Sequence, residues 1–136
     1  MAITGFTAGA FDLCHVGHMM MFNECKKNCD YLIVALHVNP NNEREEKNVP
    51  IMSLFERWII LKSITYIDEI IPYETEEDLF YLLNEIKPDI RFMGADWENK
   101  PNYSRDKLPN MKVIYNSRNH NFSSSELRKR IYEAEK

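Results

Sequence analysis

Short apolar runs alternate with amphipathic stretches along this chain, and the alternation predicts strands that take turns with helices. Buried strands are indicated by runs rich in aliphatic and aromatic residues that end at Gly, Pro, Asn or Asp; these lie at 1–7, 30–38, 69–72, 90–94 and 112–115. Helices are indicated by apolar residues three and four positions apart; these lie at 18–28, 53–64, 77–87 and from 123 onward. The pattern predicts an α/β fold, a doubly wound parallel sheet of about five strands with helices on both faces and a binding site at its carboxyl edge.

Local signals predict where these elements begin and end. A serine followed three residues later by glutamate is typical of a capping box, which predicts that helices begin at Ser53 and Ser123. Proline is predicted to stop the third strand at Pro72 and to end the third helix at Lys87-Pro88. The segment 99–110 is rich in Pro, Asn, Ser and Asp and is predicted to be a loop.

Length and composition narrow the class of protein. The 136 residues predict one domain spanning 1–136, and 44% hydrophobic with 28% charged residues is ordinary for a globular protein. A formal net charge of −4 argues against nucleic acid as a partner, so a phosphate site would have to be a local positive pocket. The apolar runs are too short to span a membrane and the start lacks the features of a signal peptide, so we expect a cytoplasmic protein.

The three cysteines are an odd number and are not expected to form a disulfide framework. Cys14 lies beside His15 and His18, a combination that could bind zinc. We favour small buried thiols, because the chain has no C-x-x-C pair and the histidines have another predicted role. No metal ion held by side chains is therefore predicted.

The stretch 5–18 has the composition of a phosphate-binding turn between the first strand and the first helix. Small residues at Ala8, Gly9 and Ala10 allow backbone N–H groups to approach a ligand, and the positive end of the following helix attracts anions. His15 and His18 stand at that end, where imidazole N–H groups can donate to phosphate oxygens and stabilise the charge that develops as phosphorus is attacked. The alternative is an ordinary strand-to-helix loop with two satisfied histidines.

Two further segments follow the carboxyl ends of predicted strands. The charged run 39–48 contains Lys47, which could close over a triphosphate, whereas such runs are usually solvated loops. Asp96 and Trp97 follow the fourth strand, where an aspartate can accept hydrogen bonds from an exocyclic amine and an aromatic ring can flank a base. A turn aspartate and an anchoring tryptophan are the alternative.

The start of the last helix is a second candidate anion site. The hydroxyls of Ser123 and Ser124, together with the charge of Arg118, could bind phosphates at this helix N-terminus. Arg128, further along the helix, is predicted to supply favourable charge toward the helix C-terminus.

Four ordered segments resemble the motifs of a known enzyme family. Residues 9–18, Gly-Ala-Phe-Asp-Leu-Cys-His-Val-Gly-His, resemble the G-T-F-D-x-x-H-x-G-H signature of cytidylyltransferases in the His-x-Gly-His nucleotidyltransferase superfamily. Residues 66–72 resemble Y-V-D-E-V-I-P, residues 93–98 resemble M-G-x-D-W-E, and Arg118 followed by 122–125 resembles R-x-x-x-I-S-T-T. The order and spacing cover nearly the whole chain and are most similar to the bacterial glycerol-3-phosphate cytidylyltransferases.

The resemblance implies a Rossmann-like nucleotidyltransferase fold, a homodimer, and transfer of CMP from CTP to a small phosphorylated acceptor. Mg²⁺ is implied as a cofactor bound mainly through the triphosphate, and Asp12 is expected to orient the motif, with contact to the metal ion as the alternative. Catalysis is implied for His15, His18, Lys47 and Arg118. Nucleotide binding is implied for Ala8, Gly9, Ala10, Phe11, His15, His18, Lys47, Gly94, Asp96, Trp97, Arg118, Ser123 and Ser124, and substrate binding for Asp12, Arg57 and Asp68.

Departures from the family motifs concern the acceptor. Thr65 stands where the glycerol-phosphate enzymes have arginine, and threonine cannot make a charge-assisted bidentate contact to phosphate. Residues 119–121 are Asn-His-Asn instead of T-E-G, so other phosphorylated alcohols or amino alcohols stay open as acceptors.

For Arg57, an ion pair with Glu56 or Asp68 is the structural alternative to a substrate contact. Alternative functions are an adenylyltransferase acting on a sugar phosphate, pantetheine phosphate or flavin, and a nucleotide-binding protein without turnover.

Overall fold

A five-stranded parallel sheet with helices on both faces forms the centre of the molecule. The computed structural model describes residues 2–40, 49–117 and 122–135. The elements in chain order are β1 Thr4–Gly9, α1 Val16–Lys27, β2 Tyr31–His37, α2 Leu54–Lys62, β3 Glu69–Tyr73, α3 Glu76–Ile86, β4 Ile90–Gly94, a 3-10 turn Ala95–Trp97, α4 Tyr103–Asp106, β5 Val113–Asn116 and α5 Ser124–Ala134. The strand order β3-β2-β1-β4-β5 confirms the predicted α/β parallel sheet.

The direction in which strands are added reverses at β1. β2 and β3 lie on one side of β1, and β4 pairs with its other side, where Phe6 is aligned with Arg91. At such a reversal the connections that leave two neighbouring strands diverge and leave a crevice at the carboxyl edge. The strand ends beside this crevice are Gly9 of β1 and Gly94 of β4.

Two apolar layers cover the faces of the sheet. On one face, Phe92 of β4 packs in a cluster with Phe22 of α1 and Leu61 of α2. On the other face, Phe6 of β1 packs in a cluster with Leu79 and Leu83 of α3. Because successive side chains of a strand point to opposite faces, the residues of β4 on either side of Phe92 face the α3 layer.

Two predictions about the sheet and its connections were wrong in detail. Pro72 does not stop β3, which continues to Tyr73, with Pro72 aligned with Leu36 of β2. β3 is an edge strand, and proline is tolerated there because its missing N–H can face the open edge. Within the predicted loop at 99–110, residues 103–106 form α4, whose first turn is capped by Asn102.

Helix starts follow the predicted caps. The Ser53 hydroxyl accepts from the Glu56 N–H at 3.1 Å and the Glu56 carboxylate accepts from the Ser53 N–H at 2.9 Å, which confirms the capping box. Ser123 caps α5 by accepting from the Glu126 N–H at 3.0 Å. In α3, Leu79 and Leu83 are buried as predicted, whereas the other predicted core residues, Phe80, Leu82 and Ile86, are half-buried. Within the described ranges, the helices are all too short or too polar to cross a membrane.

Candidate active site

Two cavities open at the carboxyl edge of the sheet, and Gly94 lines both. The histidine cavity, of about 260 Å³, lies between the N-termini of α1 and α5; its lining includes His15, His18, Asp96, Asn116, Ser123 and Ser124. The α3-side cavity, of about 230 Å³, lies between the ends of β1, β2 and β4 and the start of α3; its lining includes Ala8, Gly9, Ala10, His37, Tyr73, Glu76, Arg91 and Trp97. The sequence-predicted nucleotide residues are therefore divided between two adjoining spaces.

His15 and His18 cap the first turn of α1 reciprocally. His15 is the N-cap residue, and its Nδ1 accepts from the backbone N–H of Gly17 at 3.0 Å. Nδ1 of His18 accepts from the backbone N–H of His15 at 3.1 Å, and the ring centroids lie 4.2 Å apart. Imidazoles thus take the positions that serine and glutamate take in the usual capping box. The same two side chains start the helix and line the cavity.

These hydrogen bonds determine which ring nitrogen carries hydrogen. A neutral imidazole that accepts at Nδ1 carries its hydrogen at Nε2, which is then a donor. Burial lowers the pKa of His18 from 6.5 to about 4, nearby His15 lowers the pKa further, and Asp12 opposes the shift. His18 is neutral at pH 7 for this reason. The Phe11 ring packs edge-on against the His18 ring at 5.8 Å, so buried Phe11, which was predicted to bind nucleotide, supports His18 from the core.

Neither the backbone conformation nor the packing around position 94 requires a glycine there. Its φ of −63° and ψ of 150° are open to any residue. A Cβ on Gly94 would meet only Cδ1 of Trp97, at 3.9 Å, whereas a Cβ on Gly5 would lie 2.6 Å from the Phe92 ring. Because Gly94 lines both cavities, a side chain there would take up ligand space.

The N-terminus of α5 contributes to the wall of the histidine cavity. The Ser123 hydroxyl oxygen accepts from the Glu126 N–H, which leaves its hydrogen able to donate elsewhere. The Ser124 hydroxyl donates to the backbone carbonyl of Asp12 at 3.1 Å, so it binds the histidine loop, the connection 10–15 between β1 and α1. Asp96, in the turn after β4, lines the same cavity.

Asp12 ties three segments of the chain together. Its carboxylate accepts from the backbone N–H groups of Ile51 at 2.7 Å and Met52 at 2.9 Å, and it forms an ion pair with Arg128 of α5. Asp12 is buried, and these protein donors occupy its oxygens, so it orients the loop rather than facing a substrate. The interpretation of Arg128 as helix C-terminal charge was wrong, because local sequence carries no sign of a partner 116 positions away.

Arg57 is a buried structural residue, and the structure does not support the predicted substrate contact. It is 2% exposed and forms no ion pair with either alternative partner, Glu56 or Asp68, in the described part of the chain. Its guanidinium donates to four backbone carbonyls, those of Met52 (3.1 Å), Ala10 (3.1 Å), His37 (2.7 Å) and Val38 (2.6 Å). Arg57 therefore joins the ends of β1 and β2 to the start of α2.

Asp68 lies at the amino edge of the sheet, opposite the cavities, so the structure does not bring it to the site. Its carboxylate accepts from the Leu32 N–H at 2.8 Å, near the start of β2, and forms an ion pair with Lys26 near the end of α1. Thr65 lies in the same connection between α2 and β3. Within one chain, this departure from the family motif is remote from both cavities.

Three remaining predictions concern residues outside the described ranges, the state of the cysteines and metal binding. Lys47, Arg118 and the turn at 119–121 lie outside the described residues. The three cysteines are free thiols, and burial raises the pKa of Cys14 to about 11 and that of Cys25 to about 12. Across 2–40, 49–117 and 122–135, no group of three His, Cys, Asp or Glu side chains is arranged to hold a metal ion.

The chain is similar to known proteins both in sequence and in fold. The cytidylyltransferase-like family matches residues 6–131. The glycerol-3-phosphate cytidylyltransferase of Bacillus subtilis (strain 168) is 32% identical over 125 residues, which cover 92% of this chain and 94% of that protein. The FAD synthase of Thermococcus sibiricus is 32% identical over 90 residues, 66% of this chain and 61% of that protein. A crystal structure of a lipopolysaccharide core biosynthesis protein from Thermoplasma volcanium matches with a TM-score of 0.72 and 25% identity, over 88% of this chain and all of that one.

Proposed function

Because this chain belongs to the cytidylyltransferase-like family of nucleotidyltransferases, we propose that it transfers CMP from CTP to a small phosphorylated alcohol, such as glycerol-3-phosphate. The observation that carries the proposal is the reciprocal cap of His15 and His18, which holds two imidazoles at a helix N-terminus beside a cavity. The M-G-A-D-W-E segment at 93–98, which resembles the cytidylyltransferase motif, supports CTP as the donor.

In the proposed reaction, an oxygen of the acceptor phosphate attacks the α-phosphorus of CTP. A bond forms between that oxygen and the α-phosphorus, and the bond from the α-phosphorus to the bridging oxygen breaks, with its electron pair leaving on pyrophosphate. A phosphate monoester is already ionised near pH 7, so no side chain has to act as a strong base. The protein contributes in-line positioning and stabilisation of developing charge.

His15 and His18 would hold the α-phosphate and bridging oxygens as Nε2–H donors. Neutral imidazoles suit this role because each Nδ1 stays engaged with the backbone and the ring is held in one orientation. The positive end of α1 adds to the stabilisation. At the other wall of the cavity, Ser123 and the N-terminus of α5 would bind the leaving pyrophosphate, together with Lys47 and Arg118.

Mg²⁺ would enter as part of the substrate, bound to the triphosphate, where it offsets negative charge. Asp12 is the carboxylate nearest in sequence to the histidines, and its oxygens are taken by Ile51, Met52 and Arg128. The donor set of the described residues therefore fits a metal that arrives with the nucleotide better than one held by the protein.

The acceptor would occupy the α3-side cavity. That cavity contains the small residues Ala8, Gly9 and Ala10 and meets the histidine cavity at Gly94. An acceptor phosphate placed at Gly94 would lie beside a nucleotide held by the histidines, so the reacting groups would meet where the cavities adjoin.

The test is Mg²⁺-dependent pyrophosphate release with each of the four nucleoside triphosphates against a panel of phosphorylated alcohols. We expect release with CTP, lost by roughly 10² or more in His18→Gln, because one donor to the transition state is removed. Gly94→Ala is expected to melt as the wild type does yet lose at least tenfold in kcat/KM, because its methyl group displaces the reacting groups. Val16→Ala, an exposed change in the same turn of α1, is the control.

Other outcomes separate the alternatives. Release with ATP alone would support the same transfer mechanism with ATP instead of CTP as the donor. ATP is tested because the similar proteins include an FAD synthase. Binding of CTP without pyrophosphate release for every acceptor would favour a nucleotide-binding protein without turnover.

A further inference from the structure

Arg91 is a buried cation that, among the described residues, has one side-chain hydrogen bond and no ion pair. It lies on β4, is 4% exposed, and lines the α3-side cavity. Its Nη1 donates to the Ser104 hydroxyl at 2.7 Å, and this is its one side-chain hydrogen bond in the described part of the chain. Its Nε is buried without a hydrogen-bond partner, and none of the described carboxylates forms an ion pair with it.

This arrangement is unfavourable unless a ligand supplies the hydrogen-bond acceptor and the negative charge that the described residues do not. Burial lowers the pKa of the Arg91 guanidinium, yet arginine stays protonated in proteins, so the charge persists although the side chain is buried. Buried charges are normally paired, because a charge taken from water without compensation is strongly destabilising. No described carboxylate forms an ion pair with Arg91, although the charge of Glu76 acts on it, and a cavity lies beside it.

The geometry of the guanidinium limits what could bind. With Nη1 engaged by Ser104, the N–H groups of Nε and Nη2 are left on one edge, where they are parallel. A planar group with two oxygens matches this edge by accepting two parallel hydrogen bonds. A carboxylate has this shape, and its single negative charge balances the single positive charge of Arg91.

The neighbours of Arg91 favour a monoanion over a second phosphate. Glu76, at the start of α3, lines the same cavity, and its charge acts on Arg91 without forming an ion pair with it. A dianionic phosphate would bring one charge in excess and face Glu76 as well. The cavity volume of about 230 Å³ corresponds to roughly eight water molecules, so the ligand is small.

The position of Arg91 along β4 indicates which end of the acceptor it binds. Arg91 precedes Gly94 by three residues, which is about 10 Å along a strand. Gly94 lies where the two cavities meet, so the reacting phosphate belongs there and Arg91 lies at the inner end.

We propose that Arg91 determines acceptor specificity by binding a carboxylate at the end of the acceptor remote from the reacting phosphate, so that the acceptor is a phosphorylated hydroxy acid. The inference rests on the proposed function and narrows its substrate class. Arg91 would take no part in bond making, and its effect would be on which acceptor binds and how it is aligned.

The experiment compares 3-phosphoglycerate with glycerol-3-phosphate, which differ in whether the far end is a carboxylate or a hydroxymethyl group. Calorimetric titration of each acceptor into the nucleotide-free protein is expected to give at least tenfold tighter binding of 3-phosphoglycerate. Arg91→Gln is expected to abolish this preference, and Arg91→Lys, which keeps the charge without the planar fork, to retain part of it. Lys107→Gln, an exposed cation change on the α3 and α4 side of the molecule, is the control and should leave the preference unchanged.

A second measurement separates a binding role from a structural one. Without acceptor, Arg91→Met should melt at the same temperature as the wild type or higher, because a buried charge that forms no ion pair with a described residue has been removed. Addition of 3-phosphoglycerate should raise the melting temperature of the wild type and not that of the variant.

Equal binding of the two acceptors, binding of neither, or a preference that survives in Arg91→Gln would overturn the inference. Pyrophosphate release with glycerol-3-phosphate at least as fast as with 3-phosphoglycerate would also overturn it and leave the proposed function standing. An Arg91-dependent preference in binding, with no pyrophosphate release for either acceptor, would support the carboxylate site and overturn the proposed transfer reaction.

Discussion

His15 and His18 each have a structural role and a proposed chemical one, carried by different nitrogens of the same ring. Each Nδ1 accepts a backbone N–H in the first turn of α1, and each ring lines the histidine cavity. Protonation of His18 at Nδ1 would remove the acceptor that holds the His15 N–H. The stability of the start of α1 and the proposed phosphate-binding state of the site therefore both depend on His18 being unprotonated at Nδ1.

A pH dependence of folding follows from the lowered pKa of His18. The pKa is about 4 in the folded chain and near 6.5 when unfolded, so between these values the unfolded chain binds a proton that the folded chain does not. Stability should therefore fall as pH drops through this window, by up to about 3 kcal/mol from this group. Urea unfolding at pH 7, 6, 5 and 4 should give a smaller loss for His18→Gln than for the wild type; parallel curves would contradict the assignment.

Arg57 is predicted to matter for stability rather than for phosphate binding. Arg57→Met would leave the four carbonyls that the guanidinium serves without their donor, and we expect a loss of roughly 3–5 kcal/mol in the free energy of unfolding. Lys62→Met, at the exposed end of the same helix, should cost less than about 1 kcal/mol. If Arg57→Met instead had wild-type stability and a raised KM for CTP, that result would support the predicted contact between Arg57 and phosphate.

Among the elements, α3 ends with an unfavourable backbone conformation. Lys87 closes the helix with φ 50° and ψ 59°, the left-handed region that glycine adopts at low cost and side-chain-bearing residues rarely enter. The following Pro88 prevents the helix from continuing. The helix thus ends where predicted, and Lys87, the capping residue that follows Ile86, is not the residue best suited to this conformation.

Replacing Lys87 by glycine should stabilise the protein by roughly 0.5–1 kcal/mol, because the left-handed conformation is no longer strained. The matched control is Glu85→Gly, at an exposed position inside the same helix, where glycine should cost about 1 kcal/mol. Denaturant unfolding of both variants measures the two effects. A loss of stability in Lys87→Gly would mean that the lysine side chain contributes more than its backbone strain costs.

At the level of the whole molecule, apolar side chains remain exposed in α2 and in the segment just before it. This α2 patch consists of Val49, Ile51, Phe55 and Ile59, of which Phe55 is 67% exposed. The Ile51 N–H is also bound by Asp12, so the α2 patch adjoins the segment that holds the histidine loop. A second copy of the chain, as the family resemblance implies, is the partner we propose for this surface.

The homodimer can be tested by light scattering after size-exclusion chromatography. The wild type should have twice the chain mass at micromolar concentration, and Phe55→Glu should shift it to the monomer, because a charge cannot be buried unpaired at an interface. Tyr81→Glu, at a 57% exposed position on α3, should leave the mass unchanged. A monomeric wild type, or a dimer that survives Phe55→Glu, would exclude the α2 patch as the interface.

The sequence by itself determined the succession of strands and helices, because the signals involved are local. The apolar run at 31–37 and the capping box of Ser53 with Glu56 act within a few residues, so they could be read without the fold. The His-x-Gly-His spacing likewise predicted a helix start, which lies at Val16, and the phosphate site expected in the same turn stays a prediction. The reversal of strand order at β1 agrees with the family resemblance.

Only the tertiary structure decided which predicted residues share a site. Arg57 and Asp12 bind groups that are up to 116 positions away, and such contacts depend on how the sheet brings distant segments together. Asp68 lies at the opposite edge because a strand carries its two ends to opposite sides of the molecule. That Arg91 has no ion pair among the described residues could not be predicted either, because such a property is recognised only when the surrounding elements are in place.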